Sequence, residues 1–156
     1  MTGASGGADR KDGCIFCSTH EPGREDLILI RGRVSYVVLN LFPYNNGHVM
    51  VAPNRHIATL EATHADERDE LMRFTRHAEI ALTEAYKPQG INIGINLGRP
   101  AGAGIVDHVH VHVVPRWNGD TNFMTVVGEV RVLPEDLGAT KKRLQPIFER
   151  LAAENT

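Results

Sequence analysis

Three histidines recur at every second position between residues 108 and 114, where the chain reads His-Val-His-Val-His-Val-Val. Successive side chains of a β-strand point to opposite faces, so a strand here would place His108, His110 and His112 on one face and the valines on the other. The valine face can enter a core. Exposed strand faces usually carry Lys, Glu or Thr, so a row of three titratable rings indicates chemistry rather than solvation.

An imidazole row suits nucleophilic attack on a phosphoryl centre. A neutral imidazole is nucleophilic near pH 7, and a neighbouring imidazole can donate a proton to the departing oxygen. Alternate residues of a strand lie about 6.7 Å apart and the outer two about 13 Å apart, so one phosphate can meet His110 and one neighbour but hardly all three. The glycine- and alanine-rich loop at residues 98–104 offers backbone amides that can hold phosphate oxygens.

A second pattern that could support chemistry is the Cys-x-x-Cys formed by Cys14 and Cys17. A single Cys-x-x-Cys can be a redox pair, half of a structural zinc site or two small packed residues. The redox interpretation is disfavoured because no thioredoxin-like βαβ pattern surrounds the cysteines. A zinc ion needs two further ligands, for which His56 and His108 are the candidates.

The composition predicts one soluble globular domain. The chain has 156 residues, of which 42% are hydrophobic and 23% charged, and its formal net charge is −2. This balance argues against nucleic-acid binding, and the lack of an apolar run of ~20 residues argues against membrane insertion. Residues 1–13 lack the apolar centre of a secretory signal, so we expect a flexible tail there, a single domain over 14–156 and a cytoplasmic location.

Short runs rich in Ile, Leu and Val, separated by turn residues, predict the strands that must position these side chains. The first two runs flank Gly32 and predict a hairpin, and the later ones flank the histidines. The predicted strands are residues 26–31, 34–39, 48–52, 91–97, 108–114 and roughly 124–133.

Two helices are predicted. The first has Thr63 as N-cap with Asp66 at N3, and apolar residues recur at intervals of three and four over residues 71–85. The second is opened by Pro134, with a kink expected at Pro146. Because the strands have hairpin-like connections, the order of elements predicts an α+β fold with an antiparallel sheet.

The histidine motif resembles that of the histidine triad (HIT) superfamily of nucleotide-binding proteins, His-φ-His-φ-His-φ-φ with φ apolar. The resemblance extends from residue 14 to about residue 151. The matching segments include residues 14–17, 39–40, 47–53, 96–98 and 113–117. Residues 119–124 are similar to the bacterial branch related to fragile-histidine-triad hydrolases and diadenosine tetraphosphate phosphorylases. The resemblance implies a HIT-like fold of about five antiparallel strands and two main helices.

The resemblance also implies roles for individual residues. His110 would attack the α-phosphorus and form a covalent nucleotidyl-histidine, and His112 would help the leaving group depart. His48, which matches an upstream active-site histidine, would complete the catalytic set with His108. Two asparagines and a phosphate-side loop would hold the nucleotide, namely Asn40, Asn96, Gly102, Ala103, Gly104 and Ile105.

A metal and a partner follow from the same resemblance. Cys14, Cys17, His56 and His108 would hold a structural zinc ion in a tetrahedral site. A divalent cation that assists turnover is expected to arrive with the polyphosphate substrate, because no cluster of carboxylates suited to Mg²⁺ is evident. HIT proteins usually pair into two-fold dimers, so the resemblance implies a homodimer.

The implied activity is cleavage of dinucleoside polyphosphates, such as diadenosine tetraphosphate, at the α-phosphate. The acceptor stays open, since water would release a nucleoside monophosphate and inorganic phosphate a nucleoside diphosphate. The loop reads Gly-Ala-Gly at residues 102–104, whereas the phosphorylases carry Gly-Gly-Ser and the hydrolases carry glutamine at the position of Gly104. Two alternatives are hydrolysis of nucleoside phosphoramidates and a nucleotide-binding interaction module with incidental catalysis.

Overall fold

The centre of the molecule is a five-stranded antiparallel sheet with the strand order β1-β2-β3-β5-β4. A computed structural model describes residues 13–19, 26–41, 43–101, 107–120 and 135–154. The antiparallel sheet confirms the predicted α+β class. The strands are β1 (Ile28–Arg31), β2 (Ser35–Leu39), β3 (Val49–Pro53), β4 (Gly90–Ile95) and β5 (Val111–Arg116).

Three helices accompany the sheet in the described part of the chain: α1 (Ile15–Ser18), α2 (Ala65–Tyr86) and α3 (Leu137–Ala153). None of them is both long and apolar enough to cross a membrane. A 3₁₀ turn at Arg99–Ala101 follows β4. The long helices α2 and α3 were predicted, whereas α1 was not.

Alternation along the strands creates two separate cores. Val37 and Val51 pack in one cluster with Leu82 of α2 and Phe148 of α3. The neighbouring residues of β2 and β3 pack against the cysteine segment in a second cluster. This cluster includes Cys14, Phe16, Cys17, Tyr36, Val38, Met50 and Ala52. The two long helices therefore cover one face of the sheet and α1 covers the other.

The predicted helix starts were wrong by a few residues. Helix α2 has His64 as its N-cap and Glu67 at N3, and the His64 N–H donates to Glu67 Oε1 over 2.6 Å. Thr63 does not take the cap position, because its hydroxyl donates to the Leu60 carbonyl. Helix α3 begins at Leu137, with Asp136 as N-cap, and continues past Pro146 to Ala153.

The predicted histidine strand was also placed too early. It spans Val111–Arg116 rather than 108–114. The reason is that the Val109 N–H donates to the Ile57 carbonyl over 2.7 Å, so the preceding residues are tied to the segment after β3 instead of to a ladder. Strand β4 ends at Ile95, two residues before the predicted end. All of the tail expected at residues 1–13 except Gly13, and the strand expected near 124–133, lie outside the described residues.

Candidate active site and metal centre

His48 and His112 form a directly hydrogen-bonded pair. His48 immediately precedes β3, which pairs with β5 through Met50 and His112. This pairing brings His48 Nε2 to 2.9 Å from His112 Nδ1. The Tyr44 N–H donates to His48 Nδ1 over 3.0 Å, so the proton of the neutral His48 ring lies on Nε2. That proton is donated to His112 Nδ1, and the proton of the neutral His112 ring therefore lies on Nε2.

His110 has the opposite tautomer. Its Nδ1 lies 2.9 Å from the backbone carbonyl of His108, and since a carbonyl can only accept, Nδ1 carries the proton. His110 Nε2 consequently holds a lone pair. The rings of His110 and His112 meet edge to face with their centroids 4.6 Å apart. The ring of His110, whose Nε2 is unprotonated, thus lies against the ring of His112, whose Nε2 carries a proton.

Burial keeps these imidazoles neutral. It lowers the pKa of His112 to about 4, with the neighbouring His110 adding to the effect. It also lowers the pKa of His48 to about 4, and charge on His112 and His110 contributes further. The pKa of His110 is lowered by burial as well, although its hydrogen bond to the His108 carbonyl opposes this shift. At pH 7 all three rings are therefore neutral.

Two of the three histidines of the motif are buried, whereas His112 is half-buried. His108 is 0% and His110 6% exposed. The cover is Phe16 of α1, whose ring centroid lies 4.6 Å from that of His110 and 5.2 Å from that of His108. Sequence reasoning did not select Phe16. The available signal was a large aromatic residue between two cysteines.

Four side chains converge into a cluster with the chemistry of a metal site. The ligand atoms of Cys14, Cys17, His56 and His108 all lie within 4.8 Å of one another. His108 Nδ1 is 3.4 Å from Cys14 Sγ and 3.2 Å from His56 Nδ1, and His56 Nδ1 is 3.3 Å from Cys17 Sγ. A tetrahedral zinc ion with ordinary bond lengths spaces its ligand atoms by about 3.3–3.8 Å. The donor set and its spacing fit such an ion.

His108 belongs to this cluster through its side chain and to the histidine centre through its backbone. Its Nε2 donates to the Pro53 carbonyl over 2.8 Å, which leaves Nδ1 free of its proton and directed at the cysteines. Its own carbonyl accepts from His110. His108, which the sequence placed in both the catalytic and the metal set, therefore contacts His110 of the histidine centre through its main chain.

An open groove of about 330 Å³ lies beside His48 and His112, over one face of the paired strands β4 and β5. Asn96 lines the groove near these histidines, and its role in nucleotide binding stays a prediction. Asn40 lies outside the lining, where its Nδ2 is 3.4 Å from His48 Nδ1. The other predicted nucleotide contacts, Gly102–Ile105, lie outside the described residues.

Sequence reasoning missed the far end of this groove. Arg116 lines it together with Tyr44, and the guanidinium lies 5.0 Å from the centre of the Tyr44 ring. Arg116 also forms a two-pronged ion pair with Asp120 and donates to the Asn92 side chain. The sequence pattern that could have identified Arg116 was the alternation of side chains along the strand, because residues 112, 114 and 116 share one face.

The fold and the site together define an α+β protein with a histidine-based centre next to a Cys/His metal-ligand cluster. The HIT domain family matches residues 23–119, and the chain belongs to this family.

Named relatives agree with this assignment. The AP-4-A phosphorylase of Mycobacterium tuberculosis is 47% identical over 126 residues, which are 81% of this chain and 65% of that protein's length. The bis(5'-adenosyl)-triphosphatase of Dictyostelium discoideum is 27% identical over 132 residues, or 81% of this chain and 88% of that protein. Among solved structures, a zinc-bound histidine triad family protein from Mycobacterium smegmatis has a TM-score of 0.71 at 24% identity, covering 91% of this chain and 97% of that one.

Proposed function

We propose that the chain is an enzyme that cleaves dinucleoside polyphosphates of the diadenosine tetraphosphate type at the α-phosphate, through a covalent nucleotidyl intermediate on His110. The observation that carries the proposal is the tautomer of His110, whose Nδ1–H is held by the His108 carbonyl so that Nε2 keeps its lone pair. The names of the two relatives, a phosphorylase and a triphosphatase, support the substrate class.

The first step is attack on phosphorus. The lone pair of His110 Nε2 forms the N–P bond, and the bond from phosphorus to the bridging oxygen breaks with its electron pair remaining on the departing polyphosphate. The His112 Nε2–H donates a hydrogen bond to the oxygen on which this charge develops. Its orientation is set by His48, which donates to His112 Nδ1. The positive charge formed on the His110 ring is shared with the Nδ1–H that the His108 carbonyl accepts.

The second step returns the enzyme to its starting state. An acceptor oxygen forms a bond to phosphorus while the N–P bond breaks and its electron pair returns to His110 Nε2. With water as acceptor, the product is a nucleoside monophosphate and the proton of the water passes to solvent. With inorganic phosphate, the product is a nucleoside diphosphate. A divalent cation bound to the substrate phosphates would offset their charge in both steps.

The test is incubation with diadenosine tetraphosphate, with and without inorganic phosphate, followed by chromatography of the products. AMP with ATP identifies hydrolysis, and ADP with ATP identifies phosphorolysis. Mass spectrometry after alkaline quenching is expected to find a nucleotidyl adduct on His110, and His110→Asn is expected to abolish turnover. Substrate that stays intact while nucleotide still binds would contradict the enzyme and favour a binding module.

We also propose that the metal of the Cys/His cluster is zinc. The two sulfur and two nitrogen donors suit it, and when bound it would cross-link α1 to the segments that carry His56 and His108. Elemental analysis of purified protein is expected to find one zinc ion per chain and to find it lost in Cys17→Ser. A full complement of zinc in that variant would exclude the site.

A homodimer is proposed for the assembly. Strand β4 is an edge of the sheet in the described part of the chain, and its Ile93 is 50% exposed. An exposed edge with an apolar side chain suits pairing with a second copy. Light scattering is expected to give twice the chain mass, and Ile93→Lys to shift it toward one chain mass. An unchanged monomer mass at micromolar concentration would reject the dimer.

We propose a cytoplasmic location, which suits a reduced, metal-binding pair of cysteines.

A further inference from the structure

Helix α1 is too short to hold its own position. It has four residues, and isolated helices of this length are not stable in water. Its placement depends instead on contacts with the rest of the chain. Two come from the metal-ligand cluster, namely Cys14 at the N-cap and Cys17 within the helix, and a third is the Tyr36 hydroxyl, which donates to the Phe16 carbonyl over 2.8 Å. The segment is therefore held by its two cysteines, by this carbonyl and by the packing of Phe16 in the second core cluster.

The side chain carried by this segment is aimed at the nucleophile. Phe16 is 2% exposed, and its ring is inclined by 33° to that of His110 at a centroid distance of 4.6 Å. The His112 ring contacts His110 at the same distance, but edge to face. Phe16 does not line the groove beside His48 and His112. Its contact is thus with the imidazole of His110, which does not line the groove either.

The second restraint on His110 also originates at the cluster. The Nδ1–H of His110 is accepted by the carbonyl of His108, and the side chain of His108 is itself one of the four ligands. The ring of His110 is consequently restrained by an aromatic residue lying between two ligands and by the main chain of a third.

We propose that Phe16 is a positioning residue for His110, and that the loaded metal cluster orients the nucleophile through Phe16 and the His108 carbonyl. This inference rests on the proposed role of His110 as nucleophile. Loss of the metal removes one restraint each from Cys14, Cys17 and His108 Nδ1, while His108 Nε2 keeps its hydrogen bond to the Pro53 carbonyl. The His110 ring then gains other orientations, and its Nδ1–H competes with Nε2–H once water reaches the carbonyl.

Substitutions of Phe16 distinguish an effect on the orientation of His110 from an effect on substrate binding. Misplacement of a reacting group by about 1 Å can cost about 10²-fold in rate, so we expect Phe16→Leu to lower kcat by about tenfold with KM changed less than about twofold. Phe16→Tyr keeps the aromatic ring and is expected to retain kcat within about threefold. Ile15→Ala is the matched control, because Ile15 lies in the same helix but is 56% exposed. Zinc content measured for each variant reports whether the cluster still forms.

The tautomer of the His110 ring can be measured by NMR without measuring turnover. Long-range ¹H–¹⁵N spectra of the zinc-loaded protein at pH 7.5 are expected to show His110 in the Nδ1–H form alone. Phe16→Leu and the chelator-treated wild type are both expected to show mixed tautomers, and added zinc is expected to restore the first spectrum only in the wild type.

Failure of the positioning role of Phe16 and failure of the proposed function give different results. A single Nδ1–H tautomer and an unchanged kcat in Phe16→Leu would overturn the positioning role, whatever the reaction is. Retained turnover in His110→Asn would overturn the proposed function, while the spectra would still decide whether the cluster orients this ring. A zinc-free wild type with both the spectrum and kcat of the loaded protein would exclude the link to the metal.

Discussion

The Nε2 of His48 lies 2.9 Å from the Nδ1 of His112, and the backbone N–H of Tyr44 occupies the other nitrogen of His48. This chain of donors leaves the proton of His112 on Nε2. One backbone amide, in the segment before β3, thereby determines which nitrogen of the strand residue His112 carries the proton.

Removing His48 is expected to reduce turnover by about 10–100-fold, as is found when a group that orients another catalytic side chain is lost. In His48→Ala the His112 ring can take either tautomer, so kcat falls more than KM rises. Steady-state kinetics with diadenosine tetraphosphate measure both. His64→Ala is the control, because the His64 side chain is 67% exposed. Equal activity of His48→Ala and wild type would contradict the orienting role.

Stability is expected to fall on acidification, because the pKa values of His48 and His112 are near 4 in the fold and near 6.5 otherwise. Above pH 6.5 the rings are neutral in both states and the fold keeps its full stability. Between pH 6.5 and 4 the unfolded chain takes up protons first, so the free energy of unfolding decreases toward pH 4.

Urea unfolding of wild type and His112→Asn at pH 7, 6 and 5 measures this dependence. The slope of the wild type is expected to exceed that of the variant by up to about 1.4 kcal/mol per pH unit, the value for one proton. Comparing the two slopes removes contributions common to both proteins. Identical slopes would mean that His112 is not buried as a neutral ring.

The ion pair between Arg55 and Glu67 is expected to matter far more for stability than the one between Arg33 and Asp66. Glu67 is 2% exposed, and Arg55 binds it with two nitrogens at 2.7 and 2.8 Å. Arg55→Met leaves this carboxylate buried with the His64 N–H as its remaining described hydrogen-bond donor, so we expect a loss of about 3–5 kcal/mol.

Arg33→Met is the matched control, because it removes a similar contact to the first turn of α2 at a side chain that is 76% exposed. Its expected cost is about 0–1 kcal/mol. Chemical denaturation measures both variants, and Arg55→Met/Glu67→Gln is expected to recover part of the loss. A cost under about 1 kcal/mol for Arg55→Met would show that the pair is dispensable.

Gly32 is expected to tolerate no side chain. A Cβ there would lie 2.4 Å from Glu70 Oε1 and 2.7 Å from the Phe74 ring. Glu70 cannot move away freely, because it accepts hydrogen bonds from the backbone N–H groups of Arg33 and Val34 and from the Ser35 hydroxyl. Gly32→Ala is expected to cost about 1–3 kcal/mol.

Gly90→Ala serves as the comparison for that substitution, since a Cβ at Gly90 would meet no atom within 4 Å. Thermal unfolding of both variants decides the matter. Equal midpoints would show that the turn between β1 and β2 adjusts around the added methyl group.

The sequence by itself determined the five described strands to within a few residues, the two long helices and the alternation of side chains in the histidine segment. Side-chain alternation and helical periodicity are local properties, so residues 108–113 placed Val111 and Val113 in the core, where the structure has them. The four metal-ligand candidates came from their donor types and a resemblance, and the structure brings all four together.

Only the tertiary structure decided what covers the histidines and where their protons lie. The cover comes from Phe16, more than ninety residues before His110 in the chain, and no local pattern encodes a contact at such a separation. The tautomers depend on the Tyr44 amide and the His108 carbonyl, and the strand begins only at Val111 because Val109 bonds to Ile57. Such hydrogen bonds exist only after distant segments have packed, because each needs a partner that the folded chain supplies.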